Sequence, residues 1–123
     1  MKKVLMIAAT AAFLAGGFVT TDAVAGPEGK CKACHNFDSL KKKTGPGLKG
    51  IVGRKMGSVE GFKYGSYLKA KNAEGAVWDE AALRAWIENS KKVAKAAGGK
   101  TKMPPQRMKG EKADKVIEFL KTL

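Results

Sequence analysis

Apolar side chains recur at helical spacing in two stretches of the second half of the chain. We expect a helix over residues 79–89, capped by its first aspartate, with an apolar face made of Ala82, Leu83, Trp86 and Ile87. We expect another over residues 111–121, where the apolar stripe comprises Ala113, Val116, Ile117 and Leu120. A shorter stretch, residues 64–71, is compatible with a third helix.

Glycine and proline interrupt the chain between these helices. Gly45, Pro46 and Gly47 prevent a helix in the loop that follows the two cysteines. Residues 93–102 contain two adjacent glycines and are followed by two prolines, so we expect a loop there. No stretch alternates apolar and polar residues as a half-buried strand does. The predicted fold class is therefore all-α, with a few helices and long loops.

Residues 1–25 have the organisation of a secretory signal peptide. Two lysines precede an uncharged apolar run over residues 4–19, and an Ala-Val-Ala sequence then supplies the small residues that a signal peptidase requires. The alternative, an uncleaved membrane anchor, is disfavoured because a span needs roughly 20 apolar residues. We predict export to the periplasm, a single mature domain of residues 26–123, and no stable membrane insertion after cleavage.

The composition of the predicted mature domain suggests that its core is completed by something other than protein. Leu, Ile, Val and Phe account for 17 of its 98 residues, and its net charge is +12. So few large apolar residues at so high a charge are typical of disordered chains. A large apolar cofactor removes the conflict with the helical patterns. We infer that the chain without its cofactor is largely unfolded.

The two cysteines of the chain lie in the string Cys31-Lys32-Ala33-Cys34-His35, the pattern of c-type haem attachment. Residues three apart lie on the same face of a helical turn, so both sulfurs reach the vinyl groups of one haem, and the histidine that follows points at the iron. A disulfide redox site is the first alternative, but it needs a strand–helix context. A zinc site is the second, but it needs about four ligands, and the chain has no other histidine or cysteine.

Because the only histidine is already used, the second axial ligand of the iron must be another residue, or the position is open, and methionine is the natural candidate. A thioether suits haem iron and raises its reduction potential. The mature chain offers Met56, Met103 and Met108. Met103 is the favoured candidate, because it lies in a loop directly before a proline, and Met108 is the second.

From Cys31 to the C-terminus the chain resembles the class I c-type cytochromes of mitochondria and bacteria. The resemblance rests on the order and separation of several short strings beyond the attachment motif: Gly45-Pro46-Gly47-Leu48, Gly53-Arg54-Lys55, Gly61-Phe62-Lys63-Tyr64, Asn72, Gly75, Trp78, Trp86-Ile87-Glu88-Asn89 and Thr101-Lys102-Met103. It implies a cytochrome c fold wrapped around one covalently attached haem c. It also implies a shuttle of single electrons, not an enzyme.

The resemblance also assigns roles to individual residues. The Pro46 carbonyl is expected to accept a hydrogen bond from His35, which orients the ring. Arg54, Tyr64 and Trp78 resemble the residues that surround the haem propionates, and two partly buried carboxylates do need a cation and donors. The alternatives are ordinary core packing for the two aromatic residues and a solvated charge for the arginine.

Three features depart from the family pattern. Only residues 26–30 precede the attachment motif, so the N-terminal helix is expected to be shortened, and Pro27 stands where an aromatic residue is usual. Trp86 replaces the tyrosine that lies beside the methionine ligand, and an indole donates a hydrogen bond but cannot accept one. The loop over residues 90–102 is longer than in the mitochondrial type.

The positive charge suggests docking to acidic redox proteins, such as a membrane reductase and a terminal oxidase or another acceptor. Several lysines neighbour the segments expected to frame the haem edge: Lys30, Lys32, Lys41, Lys42, Lys43, Lys100 and Lys102. Nucleic acid is disfavoured as a partner, because an exported protein rarely meets it and no binding motif is present. The rival functions are a peroxidase-like enzyme or gas sensor, if Met103 does not bind the iron, and a haem-free thiol–disulfide protein.

Overall fold

The computed structural model describes residues 26–123, so the predicted signal peptide lies outside the described residues. Four helices occur in this part of the chain: α1 (Gly29–Lys32), α2 (Ser66–Ala73), α3 (Glu80–Ala96) and α4 (Gly110–Leu120). Within it no strand forms, and the one extended pairing is an isolated antiparallel bridge. The all-α prediction is confirmed, and the last helix lies within one residue of its expected bounds.

The third helix continues beyond its predicted end at residue 89 and reaches Ala96. The loops expected over residues 90–102 and 93–102 were therefore wrong for the part that ends at Ala96. The backbone leaves helical geometry only at Asn89 (φ −157°, ψ 87°), which kinks α3. The Asn89 side-chain oxygen accepts a hydrogen bond from the Lys92 amide (2.9 Å), as an N-cap residue does. The kink therefore ends one helical segment and starts another. The second segment was not predicted from the sequence because it contains few large apolar residues.

The core lies where α3 packs on α4. Val116 and Ile117 of α4 are fully buried, together with Leu83 and Ile87 of α3. Aromatic residues extend this core: Trp86 stacks on Tyr67 of α2, with ring centroids 5.5 Å apart. None of the helices between residues 26 and 123 is long and apolar enough to cross a membrane.

The N-terminal helix is shortened, as predicted, to a single turn with no buried residue. Another contact links this end of the chain to α4: the rings of Phe37 and Phe119 meet edge to face, with centroids 4.9 Å apart. Such pairs stabilise a fold by more than the area they bury. Phe37 therefore packs the segment that follows the cysteines against α4.

We predict that Phe37→Leu and Phe119→Leu will be energetically coupled. The coupling in the free energy of unfolding should be about 0.5–1.5 kcal/mol, measured by denaturant unfolding of the haem-loaded single and double variants. Phe62→Leu combined with Phe119→Leu is the control, since Phe62 packs on Tyr64 instead. Additive single effects in the Phe37–Phe119 pair would contradict the role assigned to this contact.

Candidate haem site

All nine residues predicted for the site line one cleft. They come from distant parts of the chain: Cys31, Cys34, His35, Pro46, Arg54, Tyr64, Trp78, Trp86 and Met103. The cleft is mostly apolar, because core residues of α3 and α4 form much of its wall. The fold thus brings together a set of side chains whose proximity neither periodicity nor composition implies.

The attachment motif begins in α1 and continues past its end. Cys31 lies in the helix, and the amides of Cys34 and His35 both donate to its carbonyl (3.1 and 3.0 Å). This turn keeps both thiols on the cleft side, and they form no disulfide with each other. Burial raises the pKa of the Cys31 thiol, and nearby Glu28 raises it further. A raised pKa is the opposite of what a reactive redox dithiol needs.

The imidazole ring of His35 is held by a short hydrogen bond. Its Nδ1 lies 2.6 Å from the Pro46 carbonyl, so Nδ1 carries the proton and Nε2 keeps its lone pair. Gly45 makes this position possible, because a Cβ there would lie 2.5 Å from the imidazole. Burial lowers the pKa of His35, and the charges of Arg54 and Lys43 lower it further, against the Pro46 bond. The ring is therefore neutral near pH 7 and available as a ligand.

The three candidate methionines lie in different environments. Met103 is partly buried and lines the cleft with His35. Met56 and Met108 are nearly fully buried, with 5% and 4% of their surface exposed, and neither lines the cleft. Both are core residues, which is the usual role of a methionine.

Trp86 lies directly beside Met103. Its indole Nε1 donates a hydrogen bond to the Met103 sulfur (3.1 Å). The indole is 6% exposed and is fixed between the rings of Tyr67 and Trp78. The aromatic residue expected next to the candidate ligand is thus present, as a rigid donor.

Arg54, Tyr64 and Trp78 share the cleft but not one hydrogen-bond network. Arg54 donates to the carbonyls of Gly47 and Lys49 (both 2.7 Å), while the Tyr64 hydroxyl accepts from the Val59 amide (2.8 Å). Arg54 Nε is buried with no hydrogen-bond partner among the described residues. Burial lowers the pKa of Arg54 and raises that of Tyr64. Within residues 26–123, the Nε of the Arg54 guanidinium is therefore a hydrogen-bond donor without an acceptor.

One residue of this region was not foreseen from the sequence. Ser90 is fully buried, and its hydroxyl donates to the Met103 carbonyl (2.7 Å). The available signal was its spacing: it follows Trp86 by four residues and Ile87 by three, which places it on the same helical face. Nothing in the spacing indicates what its hydroxyl binds.

The residues present fit a covalently bound haem. Two thiols on one turn, a neutral imidazole and a thioether line one apolar cleft, and the unpartnered Arg54 Nε suits a carboxylate. Between residues 26 and 123 no three His, Cys, Asp or Glu side chains converge on a metal-ion site, so bare zinc is not supported. Fold and site together define a c-type haem protein.

Comparisons with known proteins agree with this class. No family model matches the chain. Cytochrome c2 iso-2 of Magnetospirillum molischianum is 37% identical over 95 residues, which is 76% of this chain and 90% of that protein. Cytochrome c-550 of Ancylobacter novellus is 51% identical over 63 residues, covering 50% of this chain and only 59% of that protein. The structure of cytochrome cH from Methylobacterium extorquens superposes with a TM-score of 0.65 at 38% identity, covering 79% of this chain and 92% of that one.

The chain belongs to the class I c-type cytochromes, electron carriers with one covalently bound haem c. The family expected from the short strings of the sequence is thereby confirmed, and with it the cytochrome c fold and the cofactor.

Proposed function

We propose that this protein carries single electrons on a haem held by Cys31, Cys34, His35 and Met103. The observation that carries the proposal is the convergence of these four side chains on one apolar cleft. The two cysteines would form the thioethers, and the histidine and methionine would be the axial ligands. The haem, when bound, supplies a one-electron couple.

The chain's own residues would restrict the haem to electron transfer and prevent catalysis at the iron. With Met103 bound to the iron, no coordination position would remain for a substrate, so the protein would not be an enzyme. The Pro46 carbonyl fixes the histidine ring, and the Trp86 indole fixes the methionine sulfur (2.6 and 3.1 Å). With both ligands held, little has to move when the charge changes. Arg54, Tyr64 and Trp78 would surround the propionates.

The likeness to bacterial cytochromes c2 and c-550 and the signal-like N-terminus support a periplasmic location after cleavage at residue 25. The partners would be acidic redox proteins, such as a membrane reductase and a terminal oxidase or other acceptor, and not nucleic acid. Seven lysines support this docking, since all are exposed and Lys30 and Lys102 border the cleft itself.

Met103→Ala should leave one coordination position of the haem iron open. We expect this variant to lose the sulfur-to-iron band of the near-infrared spectrum and to bind carbon monoxide in its reduced form. The wild type should keep the band and should not bind carbon monoxide. Met108→Leu and Met56→Leu are the controls, because both replace core methionines by a residue of similar volume. A wild-type protein that binds carbon monoxide at once would instead support an enzyme or gas sensor. If only Met108→Leu lost the band, Met108 and not Met103 would be the methionine that binds the iron.

Trp86→Phe should lower the reduction potential. A donor on the sulfur withdraws electron density from it and so favours the reduced iron. A net hydrogen bond of about 1 kcal/mol corresponds to roughly 40 mV for one electron. Tyr67→Phe is the control within the same aromatic cluster, and redox titration is the measurement. Equal potentials in the wild type and Trp86→Phe would show that this hydrogen bond does not tune the iron.

Electron transfer to an acidic protein partner should slow as salt is added, by about tenfold or more between low and high ionic strength. Lys30→Gln should weaken this dependence, because Lys30 borders the cleft. Lys92→Gln removes the same charge from an exposed position of α3 that does not line the cleft. A flat salt profile, or equal effects of the two substitutions, would contradict docking through the cleft edge.

A further inference from the structure

The segment that carries Met103 is attached to α3 at the Asn89 kink. We call residues 97–109, between α3 and α4, the methionine loop. Because the backbone at Asn89 is not helical, carbonyls just before it are free to bind elsewhere. Those of Ile87 and Glu88 accept from the amides of Met108 and Arg107 (3.2 and 2.8 Å). The kink thus turns a stretch of helix into a docking edge for the loop.

Ser90, the first residue after the kink, holds Met103 itself. Its hydroxyl donates to the Met103 carbonyl at 2.7 Å, and the residue has no exposed surface. A serine inside a helix commonly bonds the carbonyl one turn earlier on its own helix. Here the hydroxyl bonds across to the loop instead.

Met103 is therefore held at two points by one helix. Trp86 binds its sulfur and Ser90 binds its carbonyl, and the two residues lie four positions apart on α3, on either side of the kink. The other end of the methionine loop is attached to α2, where Ser66 and Tyr67 bind the backbone of Lys100 (2.9 and 3.0 Å). Those bonds fix where the loop begins, but they do not touch the methionine.

We propose that Ser90 is a positioning residue that keeps Met103 in place as an axial ligand, by binding its carbonyl; this rests on the ligation proposed above. In the ligated state this carbonyl would keep the partner that it has in the structure, the hydroxyl of the fully buried Ser90. When the methionine detaches, the loop can expose that carbonyl to water. Removing the hydroxyl therefore destabilises the ligated state more than the detached one.

Imidazole is the probe that measures this balance, because it binds the oxidised iron only after the methionine has left. Its apparent affinity is proportional to the detached fraction. Ser90→Ala should bind imidazole roughly tenfold more tightly than the wild type, since the methionine carbonyl loses the side-chain donor that it has within residues 26–123. The reaction is followed by loss of the sulfur-to-iron band during titration of the haem-loaded protein.

Two further variants separate positioning from general destabilisation. Val116→Ala makes a cavity at a fully buried position of α4 and should leave imidazole affinity near that of the wild type. Ser90→Thr keeps the hydroxyl and adds a methyl group to a buried site. It should lower the stability of the fold but restore an affinity close to the wild-type value.

The outcomes distinguish this inference from the proposed ligation. A wild-type protein without the sulfur-to-iron band would overturn the ligation and the inference with it. A normal band with equal imidazole affinities for Ser90→Ala and Val116→Ala would overturn the role of Ser90 and leave the ligation intact. If Ser90→Thr bound imidazole as tightly as Ser90→Ala, the effect would come from packing and not from the hydroxyl. That result would also overturn the role of Ser90.

Discussion

The hydrophobic core and the haem cleft share several of their side chains. Leu83, Trp86 and Ile87 of α3 and Leu120 of α4 are buried among other core residues, and they also form the cleft wall. A chain with few large apolar residues cannot cover this surface by itself. The haem therefore completes the core as well as supplying the chemistry, and stability and function cannot be altered independently at these positions.

This dependence explains how the domain of residues 26–123 can hold together although α1 is a single turn with no buried residue. With the cofactor as the centre of the core, the segments around the cysteine motif need only local attachments. Phe37 against Phe119 attaches the segment after the cysteines to α4, and the His35–Pro46 bond attaches the motif to the next loop. The outer surface between α3 and α4 adds ion pairs, with Arg84 bound to both Glu80 and Asp114. Such exposed pairs contribute little individually.

The sequence allowed the helices with a strong apolar stripe to be predicted, because large side chains at helical spacing have one structural explanation. It did not allow the continuation of α3 to be predicted, because the buried residues there, Ser90 and Ala94, are small and give only a weak hydrophobic signal. The cysteines and the histidine of the cleft were predicted from the spacing of the attachment motif, and Met103 from its chemistry and position. The other members of the cleft were predicted through resemblance, because residues so distant in the sequence converge only in the fold. The bond from Ser90 to Met103 lay beyond both approaches, because a serine in a sequence does not reveal its acceptor.

The Asn89 kink connects these observations. A straight helix satisfies its own carbonyls and offers a partner only its side chains. By breaking at Asn89, α3 frees two carbonyls for the backbone of the methionine loop, and the capped restart directs the Ser90 hydroxyl to the same loop. The next turn back presents Trp86 to the sulfur. A carrier that exchanges electrons without changing its ligands needs its weaker ligand held rigidly. In this chain one irregularity of the helix supplies backbone and side-chain partners together, so it acts as part of the site.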